Sequence, residues 1–277
     1  MSTTRLEVER EGAILRVWLN RPERRNALDT TALDEIAALY ESLQRDFATR
    51  VVVLGGRGVS FCAGADRRDP PGREVLRAES GASDRQRRHA AQVGLRACRA
   101  IEDAEVVTIA RVHGHAIGGG VALALACDFR IAAEDTVFQV PEVDLGLPLT
   151  WGATARLVHE LGAARVRDLI LLCDRFDARQ AATWGAVHRA VPAAQLDATV
   201  DAWAQRLAAK PEIAVHMAKC QLRAHALLAR LGDVTEFDGD LLQTASRGER
   251  GRSSFATGVG ERGRSGSVPG CGLEGHT

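Results

Sequence analysis

Three consecutive glycines, Gly118-Gly119-Gly120, stand between an apolar, β-branched run (Val106-Val107-Thr108-Ile109-Ala110) and the good helix formers Val121 to Ala126. A strand, a glycine turn and a buried helix start bring unpaired N–H groups to one point, at the positive end of the helix dipole. Without a Cβ, that backbone admits a ligand atom at close range. The chemistry served is the holding of negative oxygen, either of a bound anion or of an oxyanion formed in a reaction. The same triplet also suits a tight packing turn. His113 and His115, flanking Gly114, have HxH spacing, but no third ligand lies nearby and no metal site is expected. Cys62 has no base beside it in the sequence and reads as core or pocket wall rather than nucleophile.

The elements that must position the triplet are legible from periodicity. Leu6 to Val8 and Ala13 to Leu19 read as two strands around Glu11-Gly12. Asp29-Thr30-Thr31 offers capping side chains before Leu33, Ile36, Ala37, Tyr40, Leu43 and Phe47, which recur at helical spacing. Val51 to Gly55 is a short buried strand, followed by the loop GRGVSFCAGAD. Residues 67–90 are charged and contain Pro70-Pro71, predicting a mobile surface loop with some helix. Its arginines read either as a solvated face or as a lid carrying cations towards a phosphate ligand. Short strands follow at 129–133 and 137–140, then a helix from Ala153 to Cys173 broken near Gly162, and two helices divided by Lys210-Pro211. Strands with intervening helices, then mostly helix, predict an α/β core followed by a helical subdomain. From Ser246 to Thr277 the chain carries about a third of its 27 glycines without apolar periodicity, predicting disorder. Gly258-x-Gly260-x-x-Gly263 in that tail matches a dinucleotide fingerprint but lacks the strand and helix it needs.

Composition narrows the partners. The 277 residues balance 36 basic against 36 acidic side chains, so no global field attracts nucleic acid. No run reaches the ~18 apolar residues of a membrane span, and MSTTRLEVER has no secretory h-region. The six scattered cysteines read as reduced core thiols. Together these predict a cytoplasmic protein.

LNRPERRNALD (19–29), FCAGAD, HGHAIGGG with ACDFRIA, FQVPEVDLGLP and RFDARQAATWGAVHRAVP occur in an order that resembles the crotonase (enoyl-CoA hydratase/isomerase) superfamily. The likeness runs from about Leu6 to Leu242. It implies a crotonase-like spiral of ββα turns over residues 1–195, a helical trimerisation subdomain over 196–245 and the tail over 246–277. It also implies an acyl-CoA thioester substrate, with coenzyme A part of that substrate and no separate cofactor, and a homotrimer or dimer of trimers. Two N–H groups, of Ala65 and Gly119, would hold the thioester oxygen. Arg25, Ala27, Ala63 and Asp66 would lie near the ADP end of CoA, and Gly118, His115 and Trp151 beside the substrate. Lys219 would either reach a CoA phosphate or stay solvated.

Hydratases of the superfamily use two glutamates; the matching positions here are Ala122 and Glu142, so one carboxylate remains. A lone carboxylate suits moving a double bond, one base taking a proton from C2 and returning it at C4. EVDLGL also resembles the dienoyl-CoA isomerase segment, although that subfamily has aspartates where this chain has Ala122 and Thr150. Asp144 would share the face of Glu142 on a strand, and reads as structural. The resemblance therefore implies an isomerase or lyase of lipid metabolism. Double-bond isomerisation through Glu142 is favoured over hydration of a 2-enoyl-CoA and over a non-catalytic acyl-CoA-binding scaffold.

Overall fold

Apolar residues two apart build the first hairpin: β1 (Leu6–Glu11) and β2 (Ile14–Leu19) pair antiparallel, Leu6 opposite Leu19. The computed structural model describes residues 4–229 and 237–246. After α1 (Thr30–Ser42) come β3 (Val51–Gly56), α2 (Arg73–Leu76), α3 (Asp84–Ala91), α4 (Val93–Asp103), β4 (Val107–Val112), β5 (His115–Ile117) and α5 (Gly119–Ala126). Then follow β6 (Phe129–Ala133), β7 (Val137–Gln139), α6 (Ala153–Leu171), β8 (Phe176–Asp177), α7 (Ala178–Trp184) and β9 (Arg189–Val191). The helices α8 (Leu196–Ala208), α9 (Glu212–Ala229) and α10 (Asp238–Ser246) complete the described chain.

Six strands form one sheet in the order β1-β2-β3-β4-β6-β9, parallel from β2 onward, and β5-β7-β8 form a second. The chain passes from the large sheet to the small one between β4 and β5, back at β6, and out again at β7. That alternation gives the α/β spiral of the sequence reading. Strand β3 is buried throughout and divides its side chains by parity. Val52 and Leu54 join one core with α1, α4 and α5; Val51 and Val53 join the other with α8.

Helix α1 begins where the Asp29 carboxylate accepts the Ala32 N–H at 2.8 Å. It buries Leu33, Ile36 and Tyr40, but the predicted stripe ends early. The helix stops at Ser42, a single 3-10 turn covers Leu43–Arg45, and Phe47 is 80% exposed. The reason is Asp46, whose carboxylate collects Ala48 and Thr49 N–H groups and the Thr49 hydroxyl, turning the chain before Phe47 can reach the core. Gly162 breaks α6 with a left-handed φ of 74°. The 67–90 segment holds α2, a 3-10 turn and most of α3, which opens on a Ser83/Gln86 capping box.

Helix α8 buries Leu196, Val200 and Ala204 on the far face of the large sheet, beside Ile14, Ile109 and Ile131. In packing it belongs with the sheet, although it lies C-terminal to residue 195. The tail expected over 246–277, including the Gly258–Gly263 pattern and Cys271, lies outside the described residues apart from Ser246 at the end of α10. Cys62, Cys98, Cys127 and Cys173 are buried free thiols and Cys220 is exposed. Among the described residues no helix is long and apolar enough to cross a membrane.

Lys219 is neither solvated nor directed at a ligand. Its ammonium donates to Asp128 Oδ2 and to the Val106 carbonyl, both at 2.7 Å, and so docks α9 on the start of β4. Asp128 also accepts the Thr108 N–H and hydroxyl. The Lys219 side chain is 10% exposed and that of Asp128 29%. Lys219→Ala should therefore cost about 2 kcal/mol, below the ~3–5 kcal/mol of a fully buried pair. Urea unfolding measures it; a loss under ~0.5 kcal/mol would put the pair with ordinary surface bridges.

Candidate active site

The loop from Phe61 to Asp66 is stitched on both sides. Phe61 and Cys62 N–H donate to the carbonyls of His113 and His115, and Ile117 N–H returns to Cys62 O. On the other side Ala63 N–H donates to Arg25 O, Leu28 N–H to Gly64 O, and Asp66 N–H to Leu28 O, all within 2.9 Å. Ala65 is skipped. Buried Asn26 holds the other margin, its amide donating to Arg57 O and Ser60 O while its Oδ1 accepts Arg21 N–H. The RRNALD segment and the CAGAD loop thus form one rigid unit.

Gly118 to Gly120 sit opposite. Gly118 N–H donates to Gln139 O at 2.9 Å, and α5 starts with Gly119. Each glycine meets a different wall. A Cβ on Gly118 would lie 2.4 Å from Glu142 Oε1, one on Gly119 2.3 Å from the Trp151 ring, and one on Gly120 2.5 Å from Cys62 O. The triplet is therefore a packing necessity as well as an N–H source. Among the described residues the N–H groups of Ala65 and Gly119 have no hydrogen-bond acceptor.

Both residues line a cavity of about 280 Å³, together with Ala63, Asp66, Gly118, Ala122, Glu142 and Trp151. The cavity gathers these residues, and much of the rest of its lining was not anticipated from the sequence. Ile117, Val93, Leu145, Leu147, Leu149 and Leu242 also line it. The Leu145/Leu147/Leu149 alternation was a readable signal; Leu242, brought in by α10, had none. Three other expected site residues lie elsewhere. Arg25 and Ala27 do not line the cavity; Arg25 is exposed and supports the loop through its carbonyl. His115 faces Ser60, Nδ1 to Oγ 3.0 Å, because the strand bond with Cys62 turns its ring away.

Glu142 follows Pro141 at the head of a 3-10 turn, Val143–Leu145. Its Oε2 is buried with no hydrogen-bond partner. Burial pushes the carboxyl up to about 7, against a smaller lowering by its own backbone N–H. Asp144 is exposed, since on a helical turn a residue two positions on faces away. Ala122, 1% exposed, supplies no second acid. Burial favours the neutral form of Asp66. The backbone N–H groups of Arg68 and Asp69 and the Arg21 guanidinium outweigh it, so the carboxyl stays below its ordinary range. Burial pushes the Cys62 thiol up to about 12, which removes it as a nucleophile. His113 bonds the Gly58 carbonyl and Arg111, and among the described residues no group of three or more His, Cys, Asp or Glu could hold a metal ion.

Several arginines of the 67–90 segment hold their own surroundings. Arg87 donates to the carbonyls of Arg77 and Ala82, and Arg88 pairs with Asp240 of α10. Arg67 lines the cavity. The arrangement as a whole offers two free N–H donors for developing negative oxygen and one carboxyl titrating near neutrality, within an apolar enclosure.

Residues 9–257 match the family model described as enoyl-CoA hydratase/isomerase. The mitochondrial Delta(3,5)-Delta(2,4)-dienoyl-CoA isomerase of Homo sapiens is 34% identical over 244 residues, covering 83% of this chain and 73% of that protein. The crotonyl-CoA hydratase of Syntrophomonas wolfei is 33% identical over 220 residues, covering 79% and 81%. Among solved structures, an enoyl-CoA hydratase from Mycobacterium avium subsp. paratuberculosis K-10 superposes with a TM-score of 0.81 at 27% identity, over 93% of this chain and 100% of that one.

A raised carboxyl makes stability depend on pH. The folded chain holds the Glu142 proton more tightly than the unfolded chain, where the group titrates near 4.5. Its contribution is therefore full below pH 4.5 and lost as pH rises to about 7. Glu142→Gln should match wild type near the low end and exceed it by up to roughly 3 kcal/mol above neutrality. Urea unfolding of both proteins across that range measures the gap; an unchanging gap would mean that the carboxylate is solvated.

Proposed function

The chain belongs to the enoyl-CoA hydratase/isomerase family, and from that premise we propose that it moves a double bond of an acyl-CoA thioester from C3 to C2. Ala65 and Gly119 N–H groups hold the thioester oxygen, so that the α-proton becomes acidic and the enolate is stabilised. Glu142 takes the C2 proton and returns it at C4, which conserves atoms and charge over the cycle. One observation carries this reading: Glu142 Oε2 is buried without a hydrogen-bond partner, and Ala122, not a second acid, lines the same cavity. A carboxyl near 7 is matched to taking and giving a proton at neutral pH.

Hydration is the second reading, favoured by the likeness to the crotonyl-CoA hydratase. It needs a water activated by Glu142 and an α-carbon proton from a group other than Ala122. The dienoyl-CoA isomerase likeness supports double-bond movement, with Thr150 lining the cavity where that subfamily carries an acid. For the assembly we propose a homotrimer or a dimer of trimers, supported by the exposed Ile213, Met217 and Leu222 on α9. A cytoplasmic location is part of the same proposal.

Incubation with 3-hexenoyl-CoA and crotonyl-CoA in deuterated water, followed by mass spectrometry, tests the reaction. Wild type should convert 3-hexenoyl-CoA to the 2-enoyl product, and Glu142→Gln should be slower by ~10²–10⁴-fold. Because the base must be unprotonated, kcat/KM should fall about tenfold per pH unit below the Glu142 value of about 7. Hydration of crotonyl-CoA without any isomerisation would establish the second reading instead. Binding without proton exchange in either protein would leave a scaffold.

A further inference from the structure

We propose that Trp151 limits the size of the acyl group, so that the cavity takes a short acyl thioester; this rests on the acyl-CoA reading above. Trp151 has a left-handed backbone, φ +62°, which bulky residues rarely adopt. Such a conformation persists only where the surroundings enforce it. Here they hold both polar groups of the peptide that follows it. The Trp151 carbonyl accepts Arg156 Nη1 at 2.8 Å, and the next N–H, of Gly152, donates to Asp238 Oδ2 at 2.7 Å.

The held backbone aims the indole between two helices. A carbon added at Gly94 of α4 would lie 2.0 Å from the ring, and one at Gly119 of α5 2.3 Å. Trp151 is 8% exposed and forms part of the cavity wall. Gly94 and Gly119 thus make a slot that only the indole fills, and the slot opens on the cavity. The cavity itself, about 280 Å³, falls just under the ~300–1,000 Å³ common for small-molecule sites. Removing the ring joins the slot to the cavity. Adding a methyl group at Gly94 does the reverse, pushing the ring out of its slot.

The test is calorimetric binding of butyryl-CoA and decanoyl-CoA, which are saturated and do not react. Wild type should prefer butyryl-CoA. Trp151→Ala should shift the decanoyl-to-butyryl affinity ratio at least tenfold towards decanoyl, and Gly94→Ala should shift it the other way. Trp151→Gly, which relieves the left-handed backbone, should reproduce the Trp151→Ala shift and keeps the test open should the alanine variant fail to fold. A ratio within threefold of wild type in the Trp151 variants, or parallel weakening of both ligands, would overturn the proposal by assigning the ring to support of the fold. Wild type binding neither thioester would sink the acyl-CoA reading itself.

Discussion

Among the described residues, two backbone donors without acceptors face one cavity that also holds a carboxylate oxygen, Glu142 Oε2, without a donor. A folded chain seldom leaves such groups unpaired, because each forgoes a hydrogen bond that water would supply in the unfolded state. The surrounding structure enforces it by using up every alternative. The loop before Asp66 is bonded to β5 on one side and to residues 25–28 on the other, so the Ala65 N–H cannot turn to find a partner. The Gly119 N–H is a helix-end donor, free by the geometry of α5. Everything else in the site follows from keeping these three groups fixed around one cavity.

The cost of that arrangement is spread over the core. Arg25, Asn26 and Trp151 all adopt left-handed backbone conformations around the site, each unfavourable by ~1–3 kcal/mol. Strand β3, buried along its whole length, offsets this by serving two hydrophobic cores at once. Asn26 shows how such a cost is met locally: its strained backbone is held by hydrogen bonds from both ends of its amide. The site is thus rigid for reasons lying in the loops and sheet, and the helices mainly seal it.

Local signals in the sequence carried far, and distant ones did not. The glycine triplet was legible because its function, a helix start without Cβ atoms, depends on adjacent residues. The hairpin, the α1 cap and the Gly162 break were legible for the same reason. Glu142 was reached only through family likeness, since spacing does not reveal that a carboxylate will be buried without a partner. His115 was misplaced because its ring direction depends on the pairing of β5 with the Cys62 loop. Phe47 continued a helical stripe on paper while Asp46 ended the helix. Leu242 reaches the cavity from a helix far along the chain, a placement that no periodicity encodes.

The chemistry turns on what stands where a second acid would be. Adding water across a double bond requires water to be held and a proton to be delivered to the α-carbon, which is most easily done by two polar groups. In this cavity the counterpart position is Ala122, and Trp151 and four leucines contribute apolar wall. Such a wall raises the carboxyl of Glu142 by desolvation. A carboxyl near 7 can both take a proton and give it back at neutral pH. A mostly apolar wall, Ala122 in place of a second acid and a near-neutral Glu142 together favour transfer of a proton along the substrate over addition of water to it.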